Sequence, residues 1–341
     1  MLVVVSHAYS IFAGWFHHPD SLVIGVSSYY GIQLFYVLSG LLIGKLLIRE
    51  LDRADLARTR GKRWRNFMFR RWLRTLPAYY AWLLVLLVGW APVIGLAGER
   101  LWHVGVLFAL MLQNLAWPMI QNNFFDVTWS LAVEEWFYVV FSGLLFLFAR
   151  FVSGNKAYWL ALAPLLVGPP IARYLLPTLD PSYHEVFFWP DCIAIGAAMA
   201  FVSCRFPAAF RRAAWLLPVA LVLAPLSVFG GLKWLGAAPV WRRMFGFDVV
   251  AFAMALFLPA ASRWKAARGL APAMVVSVAR LSYCLYLTHL SVLVFMNYVR
   301  AQAKSNISPI IDIAISLGLI VALSAALSFA IERPIMVRRP R

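Results

Sequence analysis

Long apolar runs, broken by short polar stretches, dominate this chain from end to end. The runs cover roughly 1–17, 28–48, 75–95, 101–120, 129–150, 157–176, 187–204, 213–232, 244–262, 273–299 and 309–332. A helix that crosses a bilayer needs about 20 consecutive apolar residues, and most of these runs are that long. The pattern predicts an all-α integral membrane protein. Connections between runs are short apart from 49–74, no internal repeat is visible, and no soluble domain interrupts the series. We therefore expect a single membrane domain over 1–341. The first run opens directly as LVVVSHAYSIFAGW, without the basic region of a secretory signal. It reads as the second half of a spanning helix, so the expectation is a chain truncated within helix one.

Composition narrows the class. Hydrophobic residues make up 63% of the chain and charged residues 13%, against about 25% charged in an ordinary soluble domain. Several tryptophans (Trp64, Trp72, Trp102, Trp215, Trp264) sit near the ends of apolar runs, where amphipathic rings favour the bilayer interface. The net charge of +17 is that of a membrane protein whose basic loops face anionic lipid headgroups, and it does not call for nucleic acid. Cys192, Cys204 and Cys284 all lie in apolar runs without CxxC spacing, so neither a disulfide framework nor a metal site is expected.

Charge also sets topology. The stretch 49–74 holds ten Lys and Arg against Glu50, Asp52 and Asp55, which assigns it to the cytoplasm. If 101–120 spans fully, Arg150/Lys156, Arg205/Arg211/Arg212, Arg263/Lys265/Arg268 and the RRPR tail all fall outside. If it dips in and returns, all join the first basic loop. Arg100, Arg173, Lys233, Arg242, Arg243, Arg300 and Lys304 are then left outside or near the outer edge. Irregular backbone at membrane depth is tolerated where protein or water surrounds it. The expectation is ten transmembrane helices plus one re-entrant segment, with both termini cytoplasmic.

Polar groups inside the apolar runs are the candidates for chemistry, because ionisable side chains are expensive there. His7 shares a helix face with Ser10 and Gly14, and imidazole suits a general base; a structural hydrogen bond to a neighbouring helix is the alternative. In 28–48, Gly31, Gly40 and Gly44, with Gln33 and Ser39, suggest close helix packing. Arg71 and Arg74, three residues apart, are placed on one face of a helix entering the membrane. Guanidinium forks suit phosphate, although snorkelling to lipid is equally compatible. Ser130, Glu134 and Tyr138 recur every four residues on one helix face, while Glu135 points elsewhere. Asp191 follows Pro190 and is either a first-turn acid or a functional group. Ser282, Tyr286 and His289 form a further polar stripe, and Glu332 and Arg333 pair most simply at the interface.

In order, the blocks SHA, GIQLFYVLSGLLIG, RRWLRTLPAYY, TWSLAVEEWFYVV, LSYCLYLTHL and IERP resemble those of the acyltransferase 3 family, nearly end to end. The resemblance implies a ten-helix enzyme of the inner (plasma) membrane. Such enzymes acylate sugars of lipopolysaccharide, exopolysaccharide, peptidoglycan or a secreted glycoside, often with acetyl from acetyl-CoA. It implies that His7 is the essential histidine, that Arg71 and Arg74 hold the acyl-CoA donor, and that Glu134 belongs to the catalytic site. Ser130, Tyr138, Asp191 and His289 are the candidate substrate-binding residues. His7 would deprotonate the acceptor hydroxyl for attack on the thioester; an acyl-histidine relay is the rival scheme. Three departures stand out: the family's arginine eleven residues before His7 would precede this chain, Gln33 replaces an aspartate, and Phe188, Trp189 and Pro190 stand where an arginine is usual near Asp191. Two other functions fit the residues: a proton-coupled transporter using His7, Glu134 and His289, or a catalytically inactive relative with a binding role.

Overall fold

In a computed structural model of the chain, the described residues are 2–12, 22–53, 55–115, 124–178, 186–228, 239–263, 270–303 and 308–338. Among them the structure is helical, without strands. In chain order the α-helices are α1 (Leu2–Phe12), α2 (Leu22–Leu51), α3 (Leu56–Val85), α4 (Gly98–Ala109), α5 (Trp129–Phe148), α6 (Gly154–Leu175) and α7 (Pro190–Arg205). There follow α8 (Pro207–Arg212), α9 (Leu217–Val228), α10 (Pro239–Ala255), α11 (Phe257–Ala261), α12 (Leu270–Ala303), α13 (Pro309–Leu327) and α14 (Arg333–Val337). Seven stretches among the described residues are long and apolar enough to cross a membrane: Tyr29–Leu51, Arg58–Trp90, Thr128–Phe148, Pro207–Pro225, Pro239–Ala261, Met274–Ala303 and Ile310–Val337. This is an α-helical, multi-pass membrane protein.

The basic stretch 49–74 corrects the sequence reading. Most of it is not a loop: α2 runs to Leu51 and α3 starts at Leu56, each helix having 30 residues. Arg, Lys, Leu and Ala are all good helix formers, and their charges carry no apolar period to advertise it. Arg63 pins the turn, donating to Glu50 at 2.9 Å and to Asp55 at 2.5 Å.

The chain forms two compact units, each discontinuous in sequence: Met1–Tyr29, Phe69–Thr128 and Ala266–Arg341, and Tyr30–Met68 with Trp129–Lys265. In the second unit α2 lies against α7 with backbone nearly touching backbone. A Cβ on Gly40 would fall 1.9 Å from the Ile193 carbonyl oxygen, and one on Gly196 would fall 2.0 Å from that of Val37. Small residues permit this approach, which is how apolar helices gain packing without a hydrophobic drive. At one end of the same unit, Arg205 at the close of α7 donates to both carboxylate oxygens of Asp52 (2.6 and 3.0 Å) and to Asn155 (2.9 Å). The end of α2, the start of α6 and the end of α7 therefore share one end of the unit.

In the first unit α1 packs on α12, and α12 pairs with α13. The predicted segment 101–120 is resolved differently from a full span. Helix α4 has 12 residues, about 18 Å at 1.5 Å per residue, against a hydrocarbon core of about 30 Å. It stops at Ala109, and Met111 then adopts a left-handed φ of 54°, uncommon for a side chain of this kind. A helix end leaves carbonyls unsatisfied. Here Tyr79 donates to the Phe108 carbonyl at 2.7 Å and Tyr80 to that of Ala109 at 2.8 Å. Gln113 then donates to the Thr128 carbonyl at 3.2 Å, tying the two described flanks of the segment together. Residues 116–123, with part of the expected re-entrant turn, lie outside the described residues, as do Gly14, Trp264, Lys233, Lys265, Arg268 and Lys304.

Candidate active site

Each unit contains polar chemistry inside apolar helices. In the first, α1 carries His7, half-buried, and α12 carries His289, fully buried. His7 Nδ1 lies 3.0 Å from His289 Nε2. The other nitrogen of His289, Nδ1, faces two backbone carbonyls of its own helix, Tyr286 at 2.8 Å and Leu285 at 3.1 Å. The Tyr286 hydroxyl donates to the Val127 carbonyl at 2.7 Å, which fixes the short 3-10 turn Asp126–Thr128 against α12. The predicted polar stripe is thus only partly real. Tyr286 and His289 face inward, whereas Ser282 is exposed and donates to Ala279 one turn back. Ser10 likewise is exposed and donates to the Ser6 carbonyl at 3.0 Å, so it does not join His7 on an interior face.

Arg71 and Arg74 are surface neighbours one turn apart on α3 in this unit, but they differ in burial. Arg71 is buried and Arg74 is exposed. Three residues advance a helix by about 300°, so the two diverge by about 60°, enough to separate protein interior from surroundings.

In the second unit, Glu134 and Tyr138 sit one turn apart on α5, as their spacing predicts. The Tyr138 hydroxyl donates to Glu134 Oε1, and so does the hydroxyl of Ser39 from α2, which also lies within hydrogen-bond distance of Tyr138. All three side chains are buried. Two hydroxyls from different helices thus converge on one carboxylate oxygen. In the sequence Ser39 only interrupts an apolar surface, with no sign of a partner 95 residues away. Glu135 is buried too, so neither carboxylate is a solvated interfacial group. Ser130 contributes its backbone, whose carbonyl accepts from Tyr36 at 3.3 Å.

Asp191 belongs to a different arrangement in that unit. It lies in the first turn of α7, directly after Pro190, and Oδ1 accepts from the Cys192 amide at 2.9 Å. Its Oδ2 takes Arg173 Nη2 at 2.5 Å, and the same nitrogen reaches Asp248 at 2.7 Å. Arg173 also donates from Nε to the carbonyl of Met244 (2.8 Å) and from Nη1 to that of Phe188 (2.5 Å). Arg173 is 0% exposed, so it is enclosed by protein. A guanidinium does reach Asp191, although none stands at Phe188, Trp189 or Pro190. The available signal was a lone Arg closing one apolar run and a lone Asp opening or occupying two others, opposite charges that burial forces to meet.

The fold and these clusters define a helical membrane protein that keeps histidine, carboxylate and hydroxyl groups within its spanning helices. It belongs to the acyltransferase 3 family, matching that family's acyltransferase domain over residues 1–329. O-acetyltransferase OatA of Staphylococcus aureus (strain NCTC 8325 / PS 47) is 29% identical over 335 residues, covering 89% of this chain and 52% of that protein. Peptidoglycan O-acetyltransferase OatA of Listeria monocytogenes is 26% identical over 200 residues, covering 50% of this chain and 29% of that one. The chain spans about half the length of the first of these relatives. No solved structure matches.

Proposed function

We propose that this chain is a membrane O-acyltransferase, in its simplest form an O-acetyltransferase. It moves the acyl group of cytoplasmic acyl-CoA to a sugar hydroxyl of a glycan at or beyond the plasma membrane. The observation that carries the reading is the His7–His289 contact at 3.0 Å within apolar helices, in a chain whose family transfers acyl groups. His7 acts as general base on the acceptor hydroxyl, whose oxygen attacks the thioester carbonyl; thiolate leaves and recovers the proton. Base catalysis of this kind is worth about 10²–10⁴-fold. Arg74, exposed on α3, and Arg71 behind it offer guanidinium forks to the phosphates of the donor. The Glu134–Ser39–Tyr138 cluster is the second polar group we assign to the reaction. The Listeria relative is named for peptidoglycan, which makes soluble peptidoglycan fragments the acceptor to try first.

Ten crossings and a re-entrant segment, with cytoplasmic termini, complete the proposal. Its support is the shortness of α4 and the shared end of α2, α6 and α7 marked by Arg205. Cysteine at Lys156 should label only from the cytoplasm and cysteine at Thr178 only from outside; the reverse pattern would overturn this topology. For the chemistry, membranes containing the protein should transfer label from [¹⁴C]acetyl-CoA to peptidoglycan fragments. His7→Gln, which keeps a hydrogen bond but takes no proton, should fall by about 10²-fold or more at unchanged expression. Normal transfer by that variant would remove His7 from the mechanism.

A further inference from the structure

The hydrogen-bond acceptors around the two histidines determine where every ring proton must sit. Carbonyl oxygens only accept. His289 Nδ1, facing the carbonyls of Tyr286 and Leu285, therefore carries a hydrogen, and a neutral imidazole with a proton on Nδ1 has a lone pair on Nε2. That lone pair faces His7 Nδ1 at 3.0 Å, so His7 must donate from Nδ1. One nitrogen then remains to act as a base, Nε2 of His7. The ring geometry agrees. The two planes are inclined by only 7° with centroids 5.2 Å apart, a separation close to the N–N distance plus the radii of two rings. The rings thus meet edge to edge in nearly one plane, the orientation in which an in-plane N–H points at an in-plane lone pair.

We propose that His289 is a positioning residue that fixes the tautomer and plane of His7, so that Nε2 of His7 takes the acceptor's proton. The proposal rests on the reading of His7 as general base and goes beyond the earlier view of His289 as a substrate contact. An aspartate does this work in serine hydrolases. Here a neutral ring does it, which adds no charge to the apolar helices before the reaction begins. The proton balance is simple. As the acceptor oxygen bonds to the thioester carbon, its proton passes to His7 Nε2. As the C–S bond breaks, that proton passes from Nε2 to the departing thiolate, and His7 returns to its starting tautomer. The protons on His7 Nδ1 and His289 Nδ1 stay in place throughout.

The test uses the full chain in membranes, acetyl-CoA as donor and soluble peptidoglycan fragments as acceptor. His289→Phe preserves ring shape but offers no acceptor. His289→Gln fits the space less well, yet its Oε1 can reach the place of Nε2 and accept from His7. The Phe variant should lose about 10²–10⁴-fold in kcat with KM for acetyl-CoA within about twofold, and the Gln variant should recover at least tenfold of that loss. A packing role would reverse the order, with Phe the better replacement, and that result would overturn the proposal. Independently of any turnover, ¹⁵N NMR of histidine-labelled protein should show His7 protonated on Nδ1 and bare on Nε2 at neutral pH. The opposite tautomer would end the proposal even in an active enzyme. Conversely, a parent chain with the expected tautomer and no transfer would refute the reading of His7 as base while leaving the positioning geometry standing.

Discussion

The histidine pair of the first unit and the Arg173 cluster of the second are both buried polar contacts between apolar helices, yet they are built oppositely. Around Arg173 each donor nitrogen has an acceptor, two of them carboxylates and two carbonyls. No guanidinium nitrogen there is without a protein partner. In the histidine pair, one ring is fully buried and saturated while the other is half-buried and keeps a nitrogen in reserve. The lesson is that burial of a polar group does not by itself indicate chemistry. What distinguishes the two is whether a whole nitrogen remains unengaged after the neighbours have been served.

That contrast can be broken by crossing the readouts. Arg173→Leu leaves Asp191 and Asp248 facing each other in the interior without their cation, and loss of one partner of such a cluster costs about 3–5 kcal/mol. The expected result is a large drop in thermal midpoint and yield, while the molecules that do fold transfer acetyl normally. His7→Gln should do the reverse, with stability retained and turnover lost. If Arg173→Leu folds normally and loses turnover, the cluster is part of the site and the distinction fails.

A smaller effect is expected where the second unit is tightest. Gly196→Ala drives a methyl into the Val37 carbonyl, and overpacking of this kind costs about 1–3 kcal/mol. Gly246→Ala, where the new methyl meets open space, is the control. Equal melting temperatures for the two would show that α2 and α7 are not in backbone contact.

Donor recognition should sharpen the difference between Arg71 and Arg74. Arg74→Lys keeps the charge and loses the planar fork, and should weaken acetyl-CoA binding by about 1 kcal/mol, roughly fivefold. Arg71→Lys should weaken it as well, with an added loss of thermal stability because Arg71 is buried. Unchanged donor affinity in the double variant would mean that both residues meet only lipid.

The smallest expected effect is electrostatic. The Arg63 guanidinium beside Asp55 holds that carboxyl below its ordinary range. A depressed folded value means the contact stabilises above about pH 4, and that contribution disappears as pH falls through the folded value. Because Asp55 is fully exposed, Asp55→Asn should barely change the melting curve at pH 7. A clear loss at pH 7 would show that the α2–α3 turn depends on this pair.

Much of the architecture was legible because crossing a bilayer demands long apolar runs, and α5, α6, α7, α12 and α13 lie close to where those runs fall. The four-residue spacing of Glu134 and Tyr138 also translated directly into a shared helix face. What escaped was of two kinds. The first half of α3 was hidden by its own charges, since a basic helix and a basic loop satisfy the same topological rule. Ser39 and Arg173 were hidden by distance along the chain. A hydroxyl in an apolar run, or an arginine at its end, says that a partner must exist and not which helix brings it. For Arg71 and Arg74 the spacing gave the shared side of the helix, but not that a neighbour would cover one and leave the other exposed.

The length of α3 has a mechanical consequence. The helical stretch Arg58–Trp90 has 33 residues, about 50 Å of contour, where the hydrocarbon needs about 30 Å and a tilt of about 20° shortens the projection only slightly. Some 20 Å must therefore stand clear of the oily layer, like a mast stepped in the bilayer. The exposed Arg58, Lys62 and Arg65 ride on that projecting part, already spaced by the helix. A large anion approaching from that side meets cations already placed along a helix, and capturing it requires less ordering than a flexible tether would.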